Sequence, residues 1–187
     1  MQSILSNWQR FKGWQVLELF LEKPDTKIHL KELARKLEIS SFSAMNYLKL
    51  YHLNGVLKKE IIANSTFFEL QDNFLSRELK KAFTLMRLTD LKMVDLIAKE
   101  IDCVSLSLYG SYSLGSNDSK SDLDLLAITS NKAIPKCLAS LESKLAIEIN
   151  YTALTSIEWR KMLKQENAFC KSVIRNHVLL LGSELIE

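Results

Sequence analysis

Glycine and proline are scarce in this chain, with five and two residues among 187. That scarcity excludes collagen-like repeats, proline-rich spacers and glycine-rich low-complexity tracts, and it makes each glycine that does occur a marker of position. Cysteine is scarce as well. Cys103, Cys137 and Cys170 are odd in number, far apart and set among apolar neighbours, a pattern of reduced core thiols rather than of a disulfide framework or a zinc site. The three histidines, His29, His52 and His177, show no metal-ligand spacing. No stretch approaches the roughly 18 apolar residues of a membrane span, and the first residues lack a basic segment leading into an apolar run. The expectation is therefore a cytoplasmic protein with no membrane partner. An excess of one charge is also missing: 25 Lys and Arg face 22 Asp and Glu, a net charge of +3 that permits a polyanionic partner without demanding one. Serine-histidine-aspartate triads and Walker-type loops do not occur.

What is present is periodicity of two kinds. Apolar residues from Trp8 to Leu21 recur at helical spacing until Pro24-Asp25 stops them. Leu30, Leu33, Ala34 and Leu37 mark a second, short helix. Ala44, Leu48 and Tyr51 mark a third, which ends at Asn54-Gly55. Two β-rich runs follow, Val56 to Ile62 and Thr66 to Leu70, around the polar turn Ala63-Asn64-Ser65. Residues 73–101 return to a helical pattern. From Val104 the period changes again: Val104–Leu108, Leu123–Ile128 and Ala146–Tyr151 read as strands, with helices at Ile134–Leu145 and Ser156–Gln165. The chain is thus predicted to be α+β, divided as 1–72, a helical linker 73–102, and 103–187.

The second part carries the chemistry. A strand delivers the chain into Gly110-Ser111, then a polar segment with Gly115 and Lys120, then Ser121-Asp122-Leu123-Asp124 entering another strand. Glycine allows close approach of backbone to phosphate, and serine hydroxyls and free amides donate to phosphate oxygens. Strand side chains alternate, so Asp122 and Asp124 share a face while Leu123 enters the core. Two adjacent carboxylates repel each other unless a cation lies between them. Their hard oxygens suit magnesium or manganese, which would also bind triphosphate oxygens. Tyr109 and Tyr112 beside the strand end are open to two readings, packing or stacking on a base.

The segment Gly110-Ser111, a spacer ending in Gly115, then Ser121-Asp122-Leu123-Asp124-Leu125-Leu126 resembles the signature of the polymerase-β-like nucleotidyltransferase superfamily, above all its minimal single-domain members. The resemblance covers about Val104 to Gly182. It implies a mixed sheet with flanking helices, Gly110, Ser111 and Ser121 on the triphosphate, Asp122 and Asp124 on Mg2+ or Mn2+, and a third metal-binding, catalytic carboxylate on a later strand. Glu148 is the candidate for that role, with Asn150 on the same face; aspartate is the commoner residue there, and Leu114 stands where a basic residue is frequent. The stretch from about Trp8 to Leu70 resembles a winged helix-turn-helix, whose third helix would offer Ser41, Ser43, Asn46, Tyr47 and Lys49 to duplex DNA, with Lys58 and Lys59 on the wing.

Two functions follow from these resemblances. One is metal-dependent transfer of a nucleoside monophosphate from a nucleoside triphosphate, ATP foremost, to a protein, nucleic-acid or small-molecule acceptor. The other is a DNA-binding transcriptional regulator whose nucleotidyltransferase domain senses nucleotide or is catalytically silent. A homodimer and a separate protein acceptor are both compatible with the sequence.

Overall fold

The computed structural model describes residues 7–8 and 10–185. It divides into two compact units, 1–86 and 87–187. No helix among the described residues is long and apolar enough to cross a membrane.

The first unit begins with helix α1 (Lys12–Glu22), followed by the two-residue strand β1 (Ile28–His29), helices α2 (Leu30–Lys36) and α3 (Ser41–Leu53), and strands β2 (Leu57–Ile62) and β3 (Ser65–Leu70). Helices α2 and α3 start where the sequence supplies a side-chain cap. The His29 imidazole accepts from the Lys31 amide, and the Ser40 hydroxyl accepts from the Ser43 amide at 3.0 Å. Strands β2 and β3 form a hairpin in full register from Leu57↔Leu70 to Ile62↔Ser65, and β1 adds to the other side of β3. The hairpin closes through Ala63 and Asn64, both at positive φ (46° and 64°), which is the backbone that tight two-residue hairpins require. Val16, Phe20, Leu33, Leu48, Leu57 and Phe68 are buried together and fix this unit's core.

The helical stretch predicted over 73–101 is two helices, α4 (Phe74–Asp90) and α5 (Met93–Glu100). Lys92 adopts φ 51° and ψ 36°, left-handed backbone that no continuous helix accommodates, so the chain turns there.

The second unit is built on a four-stranded sheet of order β6-β5-β4-β7, comprising β4 (Cys103–Tyr109), β5 (Leu123–Thr129), β6 (Ile149–Leu154) and β7 (Val178–Gly182). Strand β4 is antiparallel to β5 and β7, whereas β5 and β6 run parallel, so the sheet is mixed. A parallel pair needs a crossover, and helix α7 (Cys137–Leu145) supplies it. Between β4 and β5 lies the one-turn helix α6 (Gly110–Leu114); after β6 come α8 (Ser156–Lys164) and α9 (Ala168–Arg175). Alternation along β5 sorts its side chains. Leu126 and Ile128 pack with Trp159 of α8 and with Cys170 and Val173 of α9, while Leu123, Leu125 and Ala127, equally buried, face the opposite way.

Strand β6 begins later than the sequence suggests. Helix α7 ends on Ala146 at φ 54°, and the Glu142 carboxylate accepts from the Ile149 amide at 2.9 Å, so 146–148 form the turn and the strand opens at Ile149. Helix α9 and strand β7 carry short apolar patterns that periodicity alone does not separate from loop.

Leu126 is fully buried at the centre of this sheet. Leu126→Ala is expected to destabilise the second unit by about 2–5 kcal/mol, read as a fall in the urea midpoint, since both transfer and cavity contributions are lost.

Candidate functional site

The end of β4 and the start of β5 are paired neighbours, with Tyr109 opposite Asp124. The chain leaves β4 through Gly110 at φ 70°, turns through α6, and closes that helix with Gly115 at φ 65°. At Gly110 the left-handed backbone and the space both call for glycine. A Cβ there would overlap the Asp124 carboxylate and stand 3.1 Å from its Cγ. The Gly110 backbone is therefore laid directly against an acid. The first amides of a helix have no intrahelical acceptor, so Gly110 and Ser111 open α6 with donors beside that acid.

The loop back to β5 is organised by its own polar groups. Ser121 Oγ donates to Asp118 Oδ1 at 2.8 Å and accepts from the Asp118 amide at 2.9 Å, and the Lys120 amide donates to Asp118 Oδ1. Asp118 is held below the usual carboxylate range by the Ser121 hydroxyl first and the Lys120 amide second. It is a structural acid of the loop. Asn117 and Tyr112 share a hydrogen bond and are both buried. The Tyr109 ring stands edge-on to Phe169 with centroids 5.4 Å apart, and its hydroxyl lies 3.4 Å from Thr152 Oγ1. Both tyrosines are therefore committed to packing.

Asp122 and Asp124 bracket the buried Leu123 and are each partly exposed. The residue that reaches both is Asn150. Its side-chain nitrogen donates to Asp122 Oδ2 at 3.2 Å and to Asp124 Oδ1 at 3.3 Å, and Asn150 pairs with Asp124 across the parallel strands. Which amide atom faces the acids follows from hydrogen bonding, so the same side chain can present its oxygen when a cation replaces the donor role. Glu148 is exposed and lies one residue before β6; its carbonyl accepts from the Leu123 amide at 2.8 Å, one step before the Leu123↔Ile149 pair. No three of His, Cys, Asp and Glu gather closely enough to hold a metal among the described residues. The sequence pattern singled out the two aspartates and the glycine. It missed the direct bridging by Asn150, whose signal was its same-face position beside Glu148.

The Asp124 carboxyl is pushed above the ordinary aspartate value, first by burial and also by the charge of Asp122, against the lowering bond from Asn150. These are the marks of a carboxylate held where its charge is poorly compensated. The donor set fits a hard divalent cation: two carboxylates and an amide oxygen on one face, with phosphate oxygens able to complete the shell.

In the first unit the predicted contacts separate into exposed and engaged. Ser41, Asn46 and Lys49 are exposed on α3, and so is Lys59 on β2. Tyr47 instead packs edge-on to Phe11 at 5.8 Å, the Ser43 hydroxyl bonds to Ser40, and Lys58 pairs with Glu69 at 3.2 Å. Lys27 pairs with Glu60 across the same sheet. The exposed face of α3 also carries Phe42 and Leu53, 76% and 71% exposed, so it is more apolar than a phosphate-tracking surface needs.

Because the raised Asp124 carboxyl binds its proton more readily folded than unfolded, this group's contribution is fully favourable below the ordinary aspartate value. It is lost as pH rises through the raised value. Asp124→Asn is therefore expected to raise Tm at neutral pH without added metal, and to flatten the fall in Tm as pH climbs out of the acid range. Differential scanning calorimetry across that range checks both; a lower Tm for the variant at neutral pH would contradict the account. Gly110→Ala is expected to destabilise in the presence of Asp124 and less in the Asp124→Ala background, where only the left-handed backbone at Gly110 still opposes it.

No known protein-family model matches this chain, and no curated protein does. Among solved structures it is similar to a toxin-antitoxin with AMP-PNP, at 21% identity and a TM-score of 0.39 over 50% of this chain and 73% of that one. Two mutants of the toxin-antitoxin MntA-HpeT are similar at 19% and 20% identity, with TM-scores of 0.39 and 0.37, over 50% of this chain and 73% and 72% of theirs.

Proposed function

We propose that the second unit is a nucleotidyltransferase domain that binds a nucleoside triphosphate together with a divalent cation. The observation that carries this reading is the pair Asp122 and Asp124 on one face of β5, with the Gly110 backbone pressed against the second of them. Asp122 and Asp124 would hold Mg2+ or Mn2+, and Asn150 would exchange its donor contacts for an oxygen ligand or a bond to the nucleotide. When bound, the cation supplies charge neutralisation at the phosphates and polarises phosphorus for in-line attack. The Gly110 and Ser111 amides and the Ser111 hydroxyl would donate to phosphate oxygens, and Ser121 would keep the loop that delivers Asp122 in shape. Glu148, exposed one residue before β6, would take a proton from an acceptor hydroxyl. The activity proposed is transfer of a nucleoside monophosphate, from ATP foremost, to a protein, nucleic-acid or small-molecule acceptor.

A second reading has its own observation. The group bonded to both aspartates is a neutral amide, not a third carboxylate. On that reading the domain binds nucleotide without turnover and informs the first unit, a winged helix-turn-helix with α3 as the helix that enters DNA. Electrostatic support for DNA binding is modest, because Lys58 and Lys27 are already matched by Glu69 and Glu60.

The two readings separate by experiment. Asp122→Asn with Asp124→Asn is expected to abolish metal-dependent triphosphate binding in calorimetry on either reading. Glu148→Gln is expected to retain binding while labelled-nucleotide transfer drops by about 10²-fold or more, as loss of a positioned charge commonly does. Binding with no transfer by the unaltered chain, and transfer gained by Asn150→Asp, would establish the silent form. For DNA, Lys49→Ala and Lys59→Ala are each expected to lower the salt slope of duplex binding by about one, and Lys58→Ala by less because Glu69 already holds it. Salt-independent binding, or none at low salt, retires the DNA assignment.

A further inference from the structure

At the far end of the sheet face that carries Asp124 lies a cavity of about 530 Å³, formed between the start of β4, the end of β5, helix α8 and residues 183–185. Asp124 and Ile128 share that face four residues apart, so roughly 13 Å of strand separates the cavity from the aspartates. Its volume is that of a small-molecule site. Ile128, Leu163 and Leu185 give it apolar walls, and the Trp159 ring closes one side.

Two features define what such a cavity takes. First, its lining includes two cations one helical turn apart, Arg160 and Lys164, both exposed and neither ion-paired nor hydrogen-bonded among the described residues. Second, Glu184, the one acid in the lining among the described residues, bonds to His177 at 3.0 Å and pairs with neither cation.

We propose that this cavity is a binding site for an amphipathic organic monoanion, an apolar hydrocarbon body with a carboxylate head. The body lies against Ile128, Leu163, Leu185 and the Trp159 ring. The carboxylate meets Arg160 and Lys164, and the acidic head is what distinguishes the ligand from a neutral lipid or alcohol. Apolar walls alone would take either; unanswered cations select the anion. The site is independent of the nucleotide reading.

Trp159 makes the test direct. Of the three tryptophans, Trp8 and Trp14 belong to the first unit, so Trp8→Phe with Trp14→Phe leaves Trp159 as the sole emitter. A terminally brominated medium-chain fatty acid is expected to quench it saturably, and calorimetry with decanoate on the unaltered chain to give the same stoichiometry. Decanol is expected to bind at least tenfold more weakly, as is decanoate to Arg160→Ala with Lys164→Ala. Val104→Trp, at a half-exposed position on the cavity wall where added bulk need not disturb the fold, is expected to block decanoate. Binding is expected to survive in Asp122→Asn with Asp124→Asn, which separates this site from the nucleotide site. Linear, non-saturating quenching, equal affinity for the alcohol and the acid, or loss of binding in the aspartate variants would each overturn the proposal.

Discussion

Two carboxylates on alternate residues of one strand, with a buried leucine between them, cannot be moved apart without disturbing the sheet. Leu123 is fully buried, and the pairing of Tyr109 with Asp124 and of Asp124 with Asn150 fixes the strand on both sides. The repulsion between Asp122 and Asp124 is thus built into the register, and the surrounding structure answers to it. Gly110 has no side chain because Asp124 occupies the space one would need. Asn150 turns its amide donor toward both acids, the answer a neutral residue can give. The Asp118-Ser121 loop holds the approach to β5 with its own hydrogen bonds and leaves the two aspartates uncommitted to it.

Much of this was legible in the sequence because it is local. The alternation of Asp122, Leu123 and Asp124 dictates which side chains share a face, and the positions of Gly110 and Gly115 mark turns that other residues resist. The hairpin around the polar turn Ala63-Asn64-Ser65 followed from the same short-range chemistry. What the sequence hid depends on contacts between segments. The start of β6 is set by Glu142 and by the left-handed Ala146, neither of which changes the apolar alternation that made 146–151 resemble a strand throughout. The position of Glu148 before the strand, and the bridging by Asn150, follow from that shift. Lys92, which breaks the long helix, is likewise an ordinary helix former in the sequence. Its left-handed backbone is announced by no residue type at that position.

The first unit illustrates how ion pairing tempers a pattern. Lysines in the hairpin suggest an anionic partner, yet Lys27 and Lys58 are spent within the sheet on Glu60 and Glu69. What remains outward on α3 is a mixture of Ser41, Asn46 and Lys49 with large apolar groups, a surface with shape to offer as well as charge.

The contact between Gly110 and Asp124 has an evolutionary consequence. The two positions cannot drift independently: any side chain at Gly110 collides with the carboxylate, whereas removal of the carboxylate relieves both the collision and the repulsion. Decay of the pair therefore has a preferred order, with the acid lost before the glycine, which the left-handed backbone at φ 70° still favours. The glycine can thus outlast the carboxylate it makes room for, so a glycine at this turn is by itself no record of the acid.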